Sequence, residues 1–237
     1  MWPTLIAFGP LVIHSFGFLL ALGVFFGGFV FWQKGREEGT AEEELMDCWL
    51  VSGIVSLLTA RVWFVLTNWG QFNNWYRIIF LTKFPGLAYE GAFFGFWLIV
   101  VIWAVRKHWP WWPILETAVF AELIVEIFGR LGRWLAVGTI KMPFELIFSA
   151  SLALFYFIFK KWEKKYRSAF KPGFLVAAYL LVLGTINALV TLWFGLILVI
   201  GGYLLLINRW GKLAELFKKQ PVAIKKHNRK KLGFDFK

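Results

Sequence analysis

Long runs of apolar residues, separated by short polar or basic stretches, dominate the pattern along the chain. A helix needs about 20 apolar residues to cross the hydrocarbon core of a bilayer. Five runs approach that length, and each predicts a membrane helix. They lie at about 11–32, 48–66, 87–105, 111–128 and 143–159.

A sixth run, 173–207, is too long for one membrane helix. It holds 35 residues without a charge, and one helix of that length would measure about 52 Å against a hydrocarbon core of about 30 Å. Basic residues flank both ends, which is typical of the cytoplasmic side. We therefore predict a hairpin of two short helices, with its turn near Gly184, Asn187 and Thr191.

Composition agrees with seven membrane helices. Hydrophobic residues make up 59% of the chain and charged residues 17%, whereas a typical soluble domain is about 45–50% apolar. These fractions exclude a soluble domain of this size and a disordered chain. A disulfide scaffold is excluded because the one cysteine has no partner in the chain. The sequence therefore predicts an all-α integral membrane bundle.

The positive charge predicts how the bundle is oriented. The net charge is +12, and with the N-terminus outside, 20 of the 26 Lys and Arg residues lie in the inside segments. These segments are 33–47, 106–110, 160–172 and 208–237. The positive-inside rule thus predicts an N-out/C-in topology and explains the charge without nucleic acid. We expect a transmembrane domain over 1–207 and a polybasic cytoplasmic tail over 208–237. The amino end lacks a basic leader, so we expect the first helix to be retained.

Charged residues within apolar runs are costly and are candidates for function. Glu122, Glu126 and Arg130 have i, i+4, i+8 spacing, which places them on one face of the fourth predicted helix, and Arg133 follows. For the two glutamates, a structural ion pair between helices and a functional role both remain open. Arg130 lies between Gly129 and Gly132, which allow close approach of a ligand, and guanidinium suits the phosphate of an outer-leaflet lipid.

Glu90 lies at the outer end of the third predicted helix, beside the small residues Gly91 and Ala92. A poorly solvated carboxylate there suits a general base. The alternative is an ion pair with Arg61, Arg130 or Arg133.

Further polar candidates lie at or near the predicted outer ends of other helices. They are His14, Arg61, Glu145 and Asn187. His14 alone is more typical of a structural residue, and Arg61 either pairs with a glutamate or extends outward. The sequence holds no Cys/His ligand cluster, and we expect neither a metal nor a cofactor.

Six short motifs follow one another in the order found in one membrane enzyme family. The family patterns H-W-Y-G, G-A-R, G-L-S-F-H-G-G-L-L-G, G-R-[LI]-G-N-F, P-[ST]-Q-L-Y-E and G-x-x-R correspond here to 14–17, 59–61, 86–95, 129–134, 143–148 and 184–187. Because these motifs occur in the same order, the chain resembles the prolipoprotein diacylglyceryl transferases of bacterial inner membranes.

The resemblance implies transfer of a diacylglyceryl group from phosphatidylglycerol to the lipobox cysteine in the signal-peptide region of a preprolipoprotein. Arg130 would then hold the lipid phosphate, with Arg61 and His14 as further lipid contacts. Glu90 would serve as the base. We expect Glu122, Glu126, Glu145 and Asn187 to support these catalytic and lipid-binding residues.

Four of the departures from the family pattern change the expected chemistry. Glu90 replaces a histidine, Phe16 a tyrosine, Arg133 an asparagine and Asn187 an arginine. Arg133 would replace the cation lost at Asn187. The departures leave two alternatives to the transferase: a non-catalytic lipid-binding or scaffold homologue, and a small transporter that uses the buried glutamates.

Overall fold

The computed structural model of the protein describes residues 4–8, 11–72, 86–137, 144–166, 172–189 and 191–210. These residues form a short β-hairpin, seven α-helices and one 3₁₀ turn (Trp69–Gln71). The strands are β1 (Thr4–Phe8) and β2 (Leu11–His14). The helices are α1 (Ser15–Glu37), α2 (Glu42–Thr67), α3 (Tyr89–Arg106), α4 (Trp111–Val137), α5 (Phe144–Tyr166), α6 (Phe174–Ala188) and α7 (Leu192–Trp210).

The helices agree with an integral membrane protein. Helices α1, α2 and α3 are each long and apolar enough to cross a bilayer. Helix α6 and the Leu192–Ile207 part of α7 are shorter apolar helices, and they form the predicted hairpin, with its turn between Ala188 and Leu192. Each of the first five apolar runs contains one helix. The helical membrane fold is therefore confirmed.

The beginning of the first apolar run is not helical, which corrects the prediction of a helix from residue 11. Leu11–His14 pairs antiparallel with Thr4–Phe8, with Ile6 opposite Ile13 and Ala7 opposite Val12. Hydropathy detects the apolar run but not which backbone groups pair. Here β-branched residues favour a strand, and the ladder satisfies the backbone N–H and C=O groups.

Small residues set how closely the helices approach one another. Membrane helices pack through such residues because lipid tails are as apolar as leucine and supply no hydrophobic driving force. A Cβ at Gly23 or Gly27 of α1 would collide with α4, at Phe128 and Ala121. Gly91 and Gly95 of α3 lie in the same way against Thr59 and its neighbours on α2.

The two helices of the α6–α7 hairpin also pack closely through glycine residues. Gly184 lies against Val199, and Gly195 lies against the backbone of Ala188. At the far end, Gly202 lies against Ala177 and Leu181. The two helices are therefore antiparallel and in close contact along most of their length.

Helix α4 forms the centre of the bundle. Its residues Ile114, Ala118, Val119, Phe120 and Leu123 are completely buried, and it packs against α1, α3, α5 and α6. Helix α4 also carries Glu122, Glu126 and Arg130, which are three of the four buried charged side chains among the described residues; the fourth is Arg61 of α2.

The predicted cytoplasmic tail, 208–237, lies outside the described residues except for 208–210, which continue α7.

We expect Gly195→Ala to reduce the free energy of unfolding by about 1–3 kcal/mol, because the added Cβ would meet the backbone of Ala188. Gly201→Ala, in the same helix, is the matched control, since no atom of the described residues lies within 4 Å of its Cβ position apart from its chain neighbours and its own helix backbone. Thermal unfolding in detergent, followed by circular dichroism, measures both. Equal destabilisation of the two variants would contradict the close α6–α7 packing.

Candidate functional site

The Arg130 guanidinium lies where α4, α5 and α6 meet. The residue is 1% exposed. Its Nε donates to Glu126 Oε2 at 3.0 Å, its Nη1 to Glu145 Oε2 at 3.3 Å, and its Nη2 to Asn187 Oδ1 at 3.4 Å. Each of the three helices therefore supplies one acceptor to a single buried cation.

A second arginine joins this group. Arg133 Nη2 lies 3.6 Å from the same Glu145 oxygen that Arg130 contacts. The Arg133 and Glu145 side chains are 38% and 29% exposed, whereas Glu126 is 5% exposed. We use the name Arg130 cluster for five residues: Arg130, Arg133, Glu126, Glu145 and Asn187. Its two arginines and two glutamates cancel in formal charge, as burial in a low-dielectric interior requires.

Local structure explains the orientation of the acceptors. Glu126 precedes Arg130 by one helical turn on α4, so the two side chains meet on one face. Asn187 Nδ2 donates to the Leu183 carbonyl at 2.8 Å, which leaves Oδ1 directed at Arg130. The Phe148 ring lies 5.6 Å from Arg130 Cζ. Sequence reasoning missed Phe148, although it follows Glu145 by one turn on α5.

Glu122 has a different environment from Glu126. It is buried, and within the described part of the chain it makes no ion pair and its Oε2 has no hydrogen-bond partner. Tyr179 of α6 and Trp97 of α3 lie beside it, and Tyr89 lies beside Glu126. A second buried polar group therefore lies about two turns along α4 from Arg130.

The aromatic members of this second group were missed by sequence reasoning. Tyr89 Oη, Trp97 Nε1 and Tyr179 Oη are buried, and none has a hydrogen-bond partner among the described residues. Nothing in the sequence distinguishes these residues from the many other aromatic residues of the apolar runs. Their proximity to the glutamates follows only from the packing of α3 and α6 on α4.

Besides Glu122, three predicted residues are not brought into the Arg130 cluster. Arg61 instead donates to the Gly86 carbonyl at 2.9 Å. His14 is exposed where β2 meets α1. Glu90 lies in the first turn of α3, and the described residues include no ion pair between it and Arg61, Arg130 or Arg133.

The glycines that flank Arg130 have separate roles. A Cβ at Gly132 would meet the backbone of Phe16, so this glycine permits α1 to pack on α4. At Gly129 the nearest such atom is in Leu20, 3.8 Å away, which is an ordinary contact. The expectation that both glycines admit a ligand is therefore wrong for Gly132.

Glu116 is a further charged side chain of α4, outside both buried groups. Glu116, in the first part of α4, accepts a hydrogen bond from the Gly173 amide at 2.6 Å and so anchors the start of α6. Within the described ranges no three His, Cys, Asp or Glu side chains are placed to hold a metal ion.

Comparison with known proteins gives one family. The family model for prolipoprotein diacylglyceryl transferase matches residues 3–220. Among similar curated proteins is the phosphatidylglycerol–prolipoprotein diacylglyceryl transferase of Shouchella clausii, 27% identical over 126 residues, which are 53% of this chain and 46% of that protein. The protein of the same name from Bacillus licheniformis is 26% identical over 133 residues, 56% of this chain and 49% of the relative. The chain thus spans about half the length of the curated relatives it matches.

We expect Glu126→Gln to destabilise the protein more than Glu145→Gln does. Glu126 is almost completely buried, and breaking a buried ion pair by removing one partner costs about 3–5 kcal/mol. Glu145 is partly exposed and its pairing with Arg130 is longer. Chemical unfolding in detergent measures both variants.

Glu42→Gln is the control for this comparison, since it breaks the exposed Arg36–Glu42 pair, which should contribute little. If Glu42→Gln cost as much stability as Glu126→Gln, the cluster would have no special electrostatic role.

Proposed function

The chain belongs to the prolipoprotein diacylglyceryl transferase family, and on this premise we propose that it transfers a diacylglyceryl group from phosphatidylglycerol to the lipobox cysteine of preprolipoproteins. The observation that carries the proposal is the burial of Arg130 at the junction of three helices, within the Gly129–Gly132 motif. A planar guanidinium is the side chain best suited to hold the phosphate of a phospholipid.

Lipid binding at this cluster requires a rearrangement of charge. Arg130 already contacts two carboxylates, so a phosphodiester reaches it only if one of them moves away. Glu145 is the one that moves in our proposal, because it is partly exposed and is shared with Arg133. Arg133 is the more accessible cation and contacts the phosphate first. Arg130 then replaces its contact with Glu145 by one with the lipid.

The reaction itself is a substitution at carbon. The cysteine sulfur forms a bond to the glyceryl carbon, the bond from that carbon to the phosphate oxygen breaks, and glycerol phosphate leaves with the electron pair. The two arginines stabilise the charge on the leaving phosphate. A free thiol has a pKa of about 8.5, so a base is needed near neutral pH. Glu90 fills that role in place of the family's histidine.

Topology and location form part of the same proposal. We propose seven membrane spans in a bacterial inner membrane, with the N-terminus outside and the polybasic 208–237 tail on the cytoplasmic leaflet. The Arg130 cluster then lies toward the outer leaflet. His14, just before the start of α1, and Arg61, in the last third of α2, lie on the outer side in this topology and contact phospholipid headgroups. Glu122 supports the cluster from within, and no nucleic acid partner is needed to explain the charge.

Particular observations favour each of the two alternatives. The Arg130 guanidinium is satisfied without ligand and Glu90 forms no ion pair with it, which suits a non-catalytic lipid-binding homologue. The unpartnered polar atoms around Glu122, among the described residues, suit an ion or proton path in a transporter.

A transfer assay tests the main proposal. Purified protein receives phosphatidylglycerol and a peptide that contains a signal sequence and lipobox, and mass spectrometry follows the diacylglyceryl mass gain. We expect Arg130→Ala to abolish transfer and Arg130→Lys to reduce its rate at least about 100-fold, because lysine keeps the charge but not the fork of donors.

Lys107→Ala controls for a general effect of losing a cation, since Lys107 pairs with Glu44 at the other end of the bundle. Transfer by Arg130→Lys at the unmodified rate would remove Arg130 from the mechanism. No transfer by folded, lipid-binding unmodified protein would favour the non-catalytic homologue.

Single cysteines test the proposed orientation. In a Cys48→Ala background, we expect a membrane-impermeant maleimide to label Thr67→Cys but not Glu43→Cys in intact spheroplasts. Both positions are exposed, one at the end of α2 and the other at its start. Labelling of Glu43→Cys alone would reverse the proposed topology, and detergent lysis, which exposes both sites, provides the control.

A further inference from the structure

An apolar groove of about 820 Å³ lies between α1 and α2. Its α1 wall runs from Gly17 to Trp32, and its α2 wall consists of Met46, Trp49 and Leu50. The two helices make close contact near the turn that joins them, where Gly35 lies against Leu45. Beyond Leu50, α1 alone lines the groove, which is therefore open on one side.

The size and lining of the groove suit one short apolar helix. From residue 17 to residue 32, α1 rises about 22 Å, which is the length of a helix of about 15 residues. Gly17 and Ala21 are small and lie on one face, as in the small-xxx-small pattern that lets membrane helices approach closely. Apart from its chain neighbours and its own helix backbone, no atom of the described residues lies within 4 Å of a Cβ built on Gly17.

One end of the groove is acidic in an otherwise basic protein. Segment 33–47 holds six of the 14 acidic residues and only two cations, in a chain of net charge +12. Glu43 and Asp47 are exposed and form no ion pair with another described residue. With Met46 and Leu50 they follow i, i+3, i+4, i+7 spacing, so these carboxylates share a face of α2 with the groove wall.

The other end of the groove lies beside the Arg130 cluster. Gly132, one residue before Arg133, lies against Phe16 and Leu19, which are within one turn of Gly17 on α1. A helix in the groove would therefore run from the acidic turn formed by Glu43 and Asp47 at the start of α2 to the level of Arg130 and Arg133.

We infer that this groove binds the signal peptide of the lipoprotein substrate, with its apolar segment against α1 and α2 and its basic amino-terminal residues on Glu43 and Asp47. Signal peptides combine a positively charged amino end with an apolar segment of about 7–15 residues. Both features match the groove, and the acidic turn lies on the cytoplasmic side in the proposed topology. The inference rests on the proposed function and identifies the surface that presents the cysteine to the Arg130 cluster.

Peptide binding tests the apolar contact without requiring transfer. The full chain in nanodiscs is titrated into a fluorescent signal peptide whose lipobox cysteine is replaced by serine, and anisotropy gives the Kd. We expect Ala21→Trp, which fills the groove, to weaken binding at least tenfold. Ala150→Trp, at an exposed alanine of α5 outside the groove, should leave the Kd unchanged. Equal affinity of both variants and the unmodified protein would overturn the inference.

A charge exchange tests the acidic end. The double variant Glu43→Lys/Asp47→Lys should weaken binding of the native peptide at least tenfold, and a peptide whose basic residues are replaced by glutamate should bind this variant better than it binds the unmodified protein. Circular dichroism melting confirms that the variant is folded. Loss of affinity for both peptides alike, or for neither, would overturn the charge pairing.

Photocrosslinking identifies the occupant directly. A photoreactive amino acid at Leu50 should crosslink to the signal peptide. Crosslinks only to a second copy of the chain, or only to phospholipid, would overturn the inference. Peptide that binds the groove without any transfer in the mass-spectrometry assay would retain this inference while rejecting the proposed transferase function.

Discussion

A guanidinium buried among apolar helices must be neutralised by groups close to it, and the burial of Arg130 places that requirement on three helices at once. Glu126 meets it from the same helix, Glu145 from α5 and Asn187 from α6. Removing any one acceptor leaves a charge or a donor unsatisfied in a medium that cannot solvate it. The positions of α5 and α6 relative to α4 are therefore fixed by electrostatics as well as by packing.

The same cluster explains how a buried cation could act on a lipid. Its inner part, Arg130 with Glu126, is almost inaccessible, and its outer part, Arg133 with Glu145, is partly exposed. Exchange of the exposed carboxylate for a phosphate keeps the total charge near zero and moves only one side chain. A fully buried pair alone would offer a lipid no such route, and a fully exposed one would give the leaving group weak stabilisation because water screens it.

The small residues of α1 are distributed over two faces of the helix. One face allows close packing against α4, and the other lines the open groove. Along α1, Gly23 and Gly27 are covered by α4, whereas Gly17 remains uncovered. Helix α1 therefore presents one small-residue face to the bundle and another to the bilayer. The proposed signal-peptide site occupies the second face, between the acidic turn and the arginines that would carry out the transfer.

The sequence alone determined the membrane class, the approximate limits of the helices, the hairpin at the end and the i, i+4 pairing of Glu126 with Arg130, because hydropathy, chain length and helical periodicity are local properties. It also indicated the family through short motifs in order. It could not show that Leu11–His14 is a strand, since an apolar run does not reveal its backbone partners. Only the tertiary structure decided that Glu145 and Asn187 converge on Arg130, that Gly132 packs against α1 rather than facing a ligand, and that Tyr89, Trp97 and Tyr179 surround the buried glutamates. Those contacts join residues far apart in the chain, and their geometry depends on how the helices cross, which no single helix encodes.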